Sequence, residues 1–202
     1  MQRRRLIHAA CTTVLSGALV ACGKQKLPFK SIDITGADYA KDFRLTDPLG
    51  QVRSLQDFRG QVVVVFFGFT QCPDVCPSAL MELAQVKGQL GAEGQKVQGI
   101  FITVDPERDT PEVLKAYMAS FDPGFLALRG TPEQTAATAK DFKVYYKKVE
   151  GKTPTSYTMD HSAASFVYDT QGRLRLYVRP GSGPQVLVDD LRLLLTASSK
   201  DA

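Results

Sequence analysis

The chain has 202 residues and a mass of 22.1 kDa, is 44% hydrophobic and 23% charged, and carries a formal net charge of +4. That is ordinary material for one globular domain with a sizeable core, and it excludes a disordered, collagen-like or repeat protein. Four cysteines in a chain of this length also exclude a disulfide-stapled scaffold, because such scaffolds are small and cysteine-dense.

The N-terminus changes the inventory of charges and thiols. Arg3, Arg4 and Arg5 precede a 16-residue apolar run from Leu6 to Ala21, the pattern of a basic n-region and an apolar h-region. The ending Leu19-Val20-Ala21-Cys22 resembles a bacterial lipobox. It predicts a lipoprotein-type signal peptide over residues 1–21, a lipid anchor on Cys22 and a tether over residues 22–36. The protein would then be exported and held at a membrane by lipid, facing the periplasm or extracytoplasmic side. An uncleaved anchor and an ordinary secretory signal are the alternatives, although 16 residues with His8 among them are short for a spanning helix. Removing residues 1–21 leaves 22 basic residues against 21 acidic ones, so the mature charge is about +1. The basicity belongs to the signal and supports no nucleic-acid partner. Three cysteines remain, Cys22, Cys72 and Cys76, with a single histidine, His161.

Residues 37–202 are expected to form one α/β domain. Asp47-Pro48-Leu49-Gly50 is a turn signal between Phe43–Thr46 and Val52–Leu55, giving an N-terminal hairpin. Val62–Phe69 is a continuous β-branched and aromatic run, the pattern of a strand buried on both faces. A helix over Ser78–Leu90 follows, with Pro77 suited to its first position and both cysteines in the loop before it. The unsatisfied N–H groups and dipole of that helix end would favour thiolate there. Val97–Val104 is a second core strand, and Thr110 with Pro111 opens a helix over Glu112–Phe121. A short strand at Phe125–Leu128 and a helix over Pro132–Phe142 capped by Thr131 come next, then a hairpin or excursion over Val144–Thr158. Ala163–Tyr168 and Leu174–Val178 form a hairpin, and Val186–Leu195 is a final amphipathic helix. This order is a thioredoxin-like pattern with an inserted strand-helix and an inserted hairpin excursion. Sites in open α/β sheets form at the carboxyl ends of strands, which is where the loops after Phe69 and Val104 lie.

Cys72 and Cys76 are the only free thiols expected in the exported domain, and two sulfurs four residues apart can serve as a dithiol, a disulfide or a metal clamp. With His161 they offer two thiolates and one imidazole. Structural zinc asks for a closed set of four ligands, whereas soft, low-coordinate Cu(I) is satisfied by two or three, so copper is the better inference. Cu(II) would recruit a further oxygen ligand. Asp160 is a candidate to orient the imidazole, although neighbours in an extended segment point to opposite sides. Asp74, between the cysteines, is a candidate to discourage anions or face a partner, with a solvated loop aspartate as the equal alternative. Asp105 heads a loop beside the cysteines that is placed for docking or for supporting the ligands, while Asp109, Thr110 and Pro111 are accounted for by a loop and a helix cap.

Gly68–Pro77 (GFTQCPDVCP), Asp105–Pro111 (DPERDTP) and Asp160–Ala163 (DHSA), in that order, resemble the Sco/SenC family of copper-binding assembly proteins. The resemblance implies a thioredoxin-like fold, membrane tethering, and copper held by Cys72, Cys76 and His161. It also implies a metallochaperone that takes copper from a donor protein and assists assembly of the dinuclear copper site of cytochrome c oxidase, with the copper-site subunit as partner. The alternative it carries is a thiol-disulfide oxidoreductase that keeps that site's cysteines reduced, with Cys72 and Cys76 as the redox-active pair. The C-x-x-x-C spacing departs from the C-x-x-C of thioredoxin-like reductants, and a reductant has no need of His161.

Overall fold

The structure, a computed structural model, describes residues 27–153 and 156–200. The signal peptide and lipidation site expected at residues 1–22 lie outside the described residues.

Among the described residues ten strands and four α-helices occur, in the expected order after an unforeseen first strand: β1 (Ile32–Asp33), β2 (Leu45–Thr46), β3 (Val52–Arg53), β4 (Val62–Gly68), α1 (Val75–Leu90), β5 (Val97–Thr103), α2 (Pro111–Ala119), β6 (Leu126–Leu128), α3 (Pro132–Asp141), β7 (Tyr146–Glu150), β8 (Tyr157–His161), β9 (Ser165–Tyr168), β10 (Leu174–Val178) and α4 (Pro184–Lys200). Six strands form one sheet in the order β1-β10-β9-β4-β5-β6, with β4, β5 and β6 parallel and the others antiparallel. This is the mixed α/β, thioredoxin-like sheet that the element order implies.

The strand β4 is central because its seven residues are all buried. Val62, Val64 and Phe66 face a cluster with α1, α2 and α4, while Val63, Val65 and Phe67 face a second cluster with Phe43, Leu55, Phe58, Ala139 and Phe142. A run without polar alternation is what a strand covered on both faces requires. The caps on α2 and α3 are as expected: Thr110 accepts from the Val113 N–H, and Thr131 with Gln134 forms a reciprocal capping box.

Three placements differ from the sequence reading. The helix α1 starts at Val75, not Ser78, so Cys76 lies in its first turn and Pro77 at its third residue. Proline is tolerated there because the first N–H groups of a helix have no intrahelical partner to lose. Two 3₁₀ segments, Leu55–Phe58 and Gly91–Lys96, were not foreseen. Finally, Ile32–Asp33, inside the expected tether, pairs with β10 as the edge strand, and Leu27 and Phe29 pack on the core.

That leading segment is fixed by Asp190 of α4, a fully buried carboxylate whose two oxygens accept from the Lys30 and Ser31 backbone N–H groups, each at 2.8 Å. Asp190→Ala leaves both donors without their partner and is expected to cost about 2–3 kcal/mol. Denaturant unfolding and hydrogen exchange check this, the Lys30 and Ser31 amides losing protection first.

Candidate metal centre

The chain reaches the site where β4 ends. The Val104 N–H donates to the Gly68 carbonyl at 2.8 Å, so the loops after β4 and β5 leave the sheet side by side. Gly68 is a packing requirement: a Cβ there would sit 2.7 Å from the Cys76 sulfur and 2.7 Å from the Phe101 ring. Cys76 is fully buried at the start of α1, whereas Cys72, in the loop before it, is part-exposed. The Cys76 backbone N–H points at the Cys72 sulfur at 3.5 Å.

The third group comes from a separate two-stranded sheet. The strands β7 and β8 pair from Tyr146↔His161 to Glu150↔Tyr157, which places His161 at the end of β8 over the cysteines. Its Nε2 lies 3.5 Å from the Cys76 sulfur, and its Nδ1 lies 3.0 Å from the Ser162 carbonyl oxygen. A carbonyl only accepts, so Nδ1 carries the proton and the Nε2 lone pair faces the sulfur. The rings of Phe66 and Phe69 stand edge-on to the imidazole at 6.2 and 5.9 Å. The ligand atoms of Cys72, Cys76 and His161 all lie within 4.8 Å of one another, and this is the one such cluster among the described residues.

The loop Asp105–Pro111 holds the two parts together. Arg108 pairs with Asp105, donates to the Gln71 side chain at 3.0 Å and to the Tyr157 carbonyl at 2.8 Å, and lies 3.5 Å over the Tyr157 ring. The Tyr157 hydroxyl donates to Asp105 at 2.8 Å. Asp105 is thus buried and serves as an anchor between loop and hairpin.

Of the other candidates, Asp160 is exposed and the Ser162 carbonyl takes the orienting part foreseen for it. Asp74 is exposed at the position before α1 and makes no side-chain cap. Asp109 was accounted for as part of a loop and is instead fully buried beneath the cysteine loop, accepting from the Thr70 hydroxyl at 2.6 Å and the Thr103 hydroxyl at 2.5 Å. The signal available for it was the second carboxylate of D-x-x-x-D directly after a core strand.

Electrostatics at Cys76 run against the expected thiolate. Burial pushes its pKa well above the ordinary thiol value, and a hydrogen bond from the Phe69 backbone offsets only part of that. The helix end is real, but desolvation of a fully buried sulfur outweighs it.

The SCO1/SenC family model matches residues 33–196. The chain belongs to the SCO1/SenC family. Among its relatives, the mitochondrial protein SCO2 homolog of Bos taurus is 40% identical over 158 residues, covering 77% of this chain and 59% of the relative. The chain therefore spans about three fifths of the length of that relative. The copper-bound ScoI of Bradyrhizobium japonicum is 40% identical with a TM-score of 0.70, covering 76% of this chain and 98% of that one. The apo Sco1 of Thermus thermophilus is also 40% identical, with a TM-score of 0.75 and coverage of 83% and 97%. These two Sco proteins thus share the fold of this chain across most of its length, at 40% sequence identity.

Gly68→Ala is expected to destabilise the fold by about 1–3 kcal/mol, because the buried Cys76 sulfur and the Phe101 and Phe66 rings cannot all give way. Denaturant unfolding measures the loss, and faster modification of Cys76 by a thiol reagent in the folded protein reports displacement of the sulfur.

Proposed function

We propose that this protein is a copper metallochaperone, held at a membrane through lipid on Cys22, that binds copper through Cys72, Cys76 and His161 and assists assembly of the dinuclear copper site of cytochrome c oxidase. The observation that carries the reading is the convergence of two sulfurs and an imidazole nitrogen within 4.8 Å. Two thiolates and an imidazole form a soft, three-member set, which suits Cu(I) and falls one ligand short of structural zinc. The copper-bound relative supports the same cargo. Membrane attachment rests on the N-terminal sequence; no helix among the described residues is long and apolar enough to cross a membrane.

Each group has a separate task. Cys76 supplies a fixed sulfur whose position the sheet dictates. His161 presents Nε2 because the Ser162 carbonyl holds its other nitrogen protonated, the arrangement by which ligand histidines are usually oriented. A donor protein delivers the ion and the oxidase copper-site subunit receives it by exchange of ligands. A dithiol reductant would use the same two cysteines, but it leaves unexplained an imidazole placed 3.5 Å from Cys76.

An anaerobic Cu(I) titration against a competing chelator tests the reading on the reduced chain carrying Cys11→Ser and Cys22→Ser. One tight equivalent is expected, lost in Cys72→Ala and Cys76→Ala and weakened at least ~100-fold in His161→Ala. Binding indifferent to His161 would return the cysteines to disulfide chemistry. The pH dependence has a definite sign. Binding displaces the proton that Cys76 keeps at neutral pH because burial raises its pKa. The apparent affinity should therefore rise at least about tenfold per pH unit across the neutral range.

A further inference from the structure

A groove opens beside the metal centre, between α1 and the turn that leads from β10 into α4. It is lined by Phe66, whose ring also stands edge-on to His161 at 6.2 Å, so groove and site share a wall. Val75, Ala79 and Ala163 line it too, all of them only partly buried where they pack on the core. Val75 adjoins Cys76, and Ala163 follows His161 by two residues. The space is about 150 Å³, the size of a side chain or two, whereas small-molecule sites take roughly 300–1,000 Å³.

Glu82 is the only acidic residue lining this groove. It is half-buried and makes no hydrogen bond or ion pair among the described residues. Ser78, Ala79, Gln85 and Val86 hold the positions three and four residues away, so α1 supplies no cation for it. Arg179, on the opposite wall, is exposed and forms no ion pair with it. Burial raises the pKa of Glu82, and no neighbouring charge offsets that. A carboxylate drawn partly out of water without a partner costs stability, so its place in an otherwise largely apolar groove calls for a reason.

We propose that this groove docks a segment of the protein that exchanges copper with the site, and that Glu82 pairs there with a lysine or arginine of that segment. Charge complementarity selects the occupant: the groove holds one unpaired anion, and a partner's cation completes it while small apolar side chains cover Val75 and Ala79. Cys72 is the part-exposed sulfur, so the partner's acceptor thiolate approaches there. Glu82 lies roughly 10 Å along α1 from Val75, which sets the distance between that thiolate and the partner's cation. The inference rests on the metal-site reading and adds to it the chemistry of the partner. Glu82 touches no ligand; it favours one class of acceptor over another before the ion moves.

The test uses the Cu(I)-loaded chain carrying Cys11→Ser and Cys22→Ser, and synthetic peptides as acceptors. Each peptide is acetylated and amidated and has one cysteine followed by five residues, all alanine except a single lysine, glutamine or glutamate at a chosen position. The rate of Cu(I) transfer to each peptide is followed anaerobically at low salt. At one or more positions the lysine peptide is expected to take copper about tenfold faster than its glutamine counterpart, the worth of one charge-assisted contact, with the glutamate peptide slower still. Glu82→Gln should erase that ratio, and Glu82→Lys should reverse it in favour of glutamate. Each ratio is taken on one protein, so a general loss of fold or of metal cancels from it. Lysine and glutamine peptides within twofold of each other at every position overturn the inference, and so does a lysine preference that survives in Glu82→Gln. Wild-type protein that holds no copper overturns the metal-site reading instead. The groove is then read with the same peptides in thiol-disulfide exchange on the oxidised Cys72–Cys76 pair, where the same ratios support or overturn the role of Glu82.

Discussion

The guanidinium of Arg108 bonds Asp105 in its own loop, the Gln71 side chain next to Cys72, and the Tyr157 carbonyl in the hairpin. One planar group thereby joins the three stretches of chain from which the site is made. The joint matters because β7 and β8 form a two-stranded sheet of their own and share no ladder with the main sheet. A two-stranded ribbon is marginal alone, so its position over the cysteines depends on side-chain contacts. Arg108 supplies them with a fork of donors and a flat face on Tyr157, a combination that lysine does not reproduce. Asp105 keeps the guanidinium in place and takes the Tyr157 hydroxyl as well.

The two cysteines stand in a different relation to the fold from the histidine. Cys76 is part of the core: strand glycine, aromatic ring and helix start are fitted around its sulfur. The protein accepts a raised thiol pKa as the cost of that fixity. Beneath it, Asp109 ties Thr70 and Thr103 together and stiffens the turn from which Cys72 projects. Rigidity of this kind holds ligands in place before an ion arrives and lowers the ordering cost of binding.

The sequence showed the elements well and the joints between them poorly. The apolar runs of β4 and β5 and the Thr-Pro openings of α2 and α3 carry their own local signals, and the structure repeats them almost residue for residue. The start of α1 was misread because Pro77 looks like a first helical residue, when any of the first few positions tolerates proline. The strand β1 has only two residues and no pattern, and it exists through Asp190 and β10, far away in the chain. The three residues of the candidate site were legible as residue types and spacing. Asp109 was not, because a loop and a helix cap explained it fully in sequence and only its bonds to Thr70 and Thr103 in the folded chain reveal it beneath the cysteine loop.

The unequal exposure of the two sulfurs sets an order of events at the site. Cys72 is part-exposed and Cys76 is enclosed by Gly68, Phe101 and the first turn of α1. Any incoming nucleophile, whether a partner's thiolate seeking the ion or one attacking a disulfide, meets Cys72 first. On the copper reading proposed above, Cys72 would be the first ligand exchanged and Cys76 the last to let go, whereas attack on a Cys72–Cys76 disulfide would leave the mixed disulfide on Cys72 and release the Cys76 thiolate.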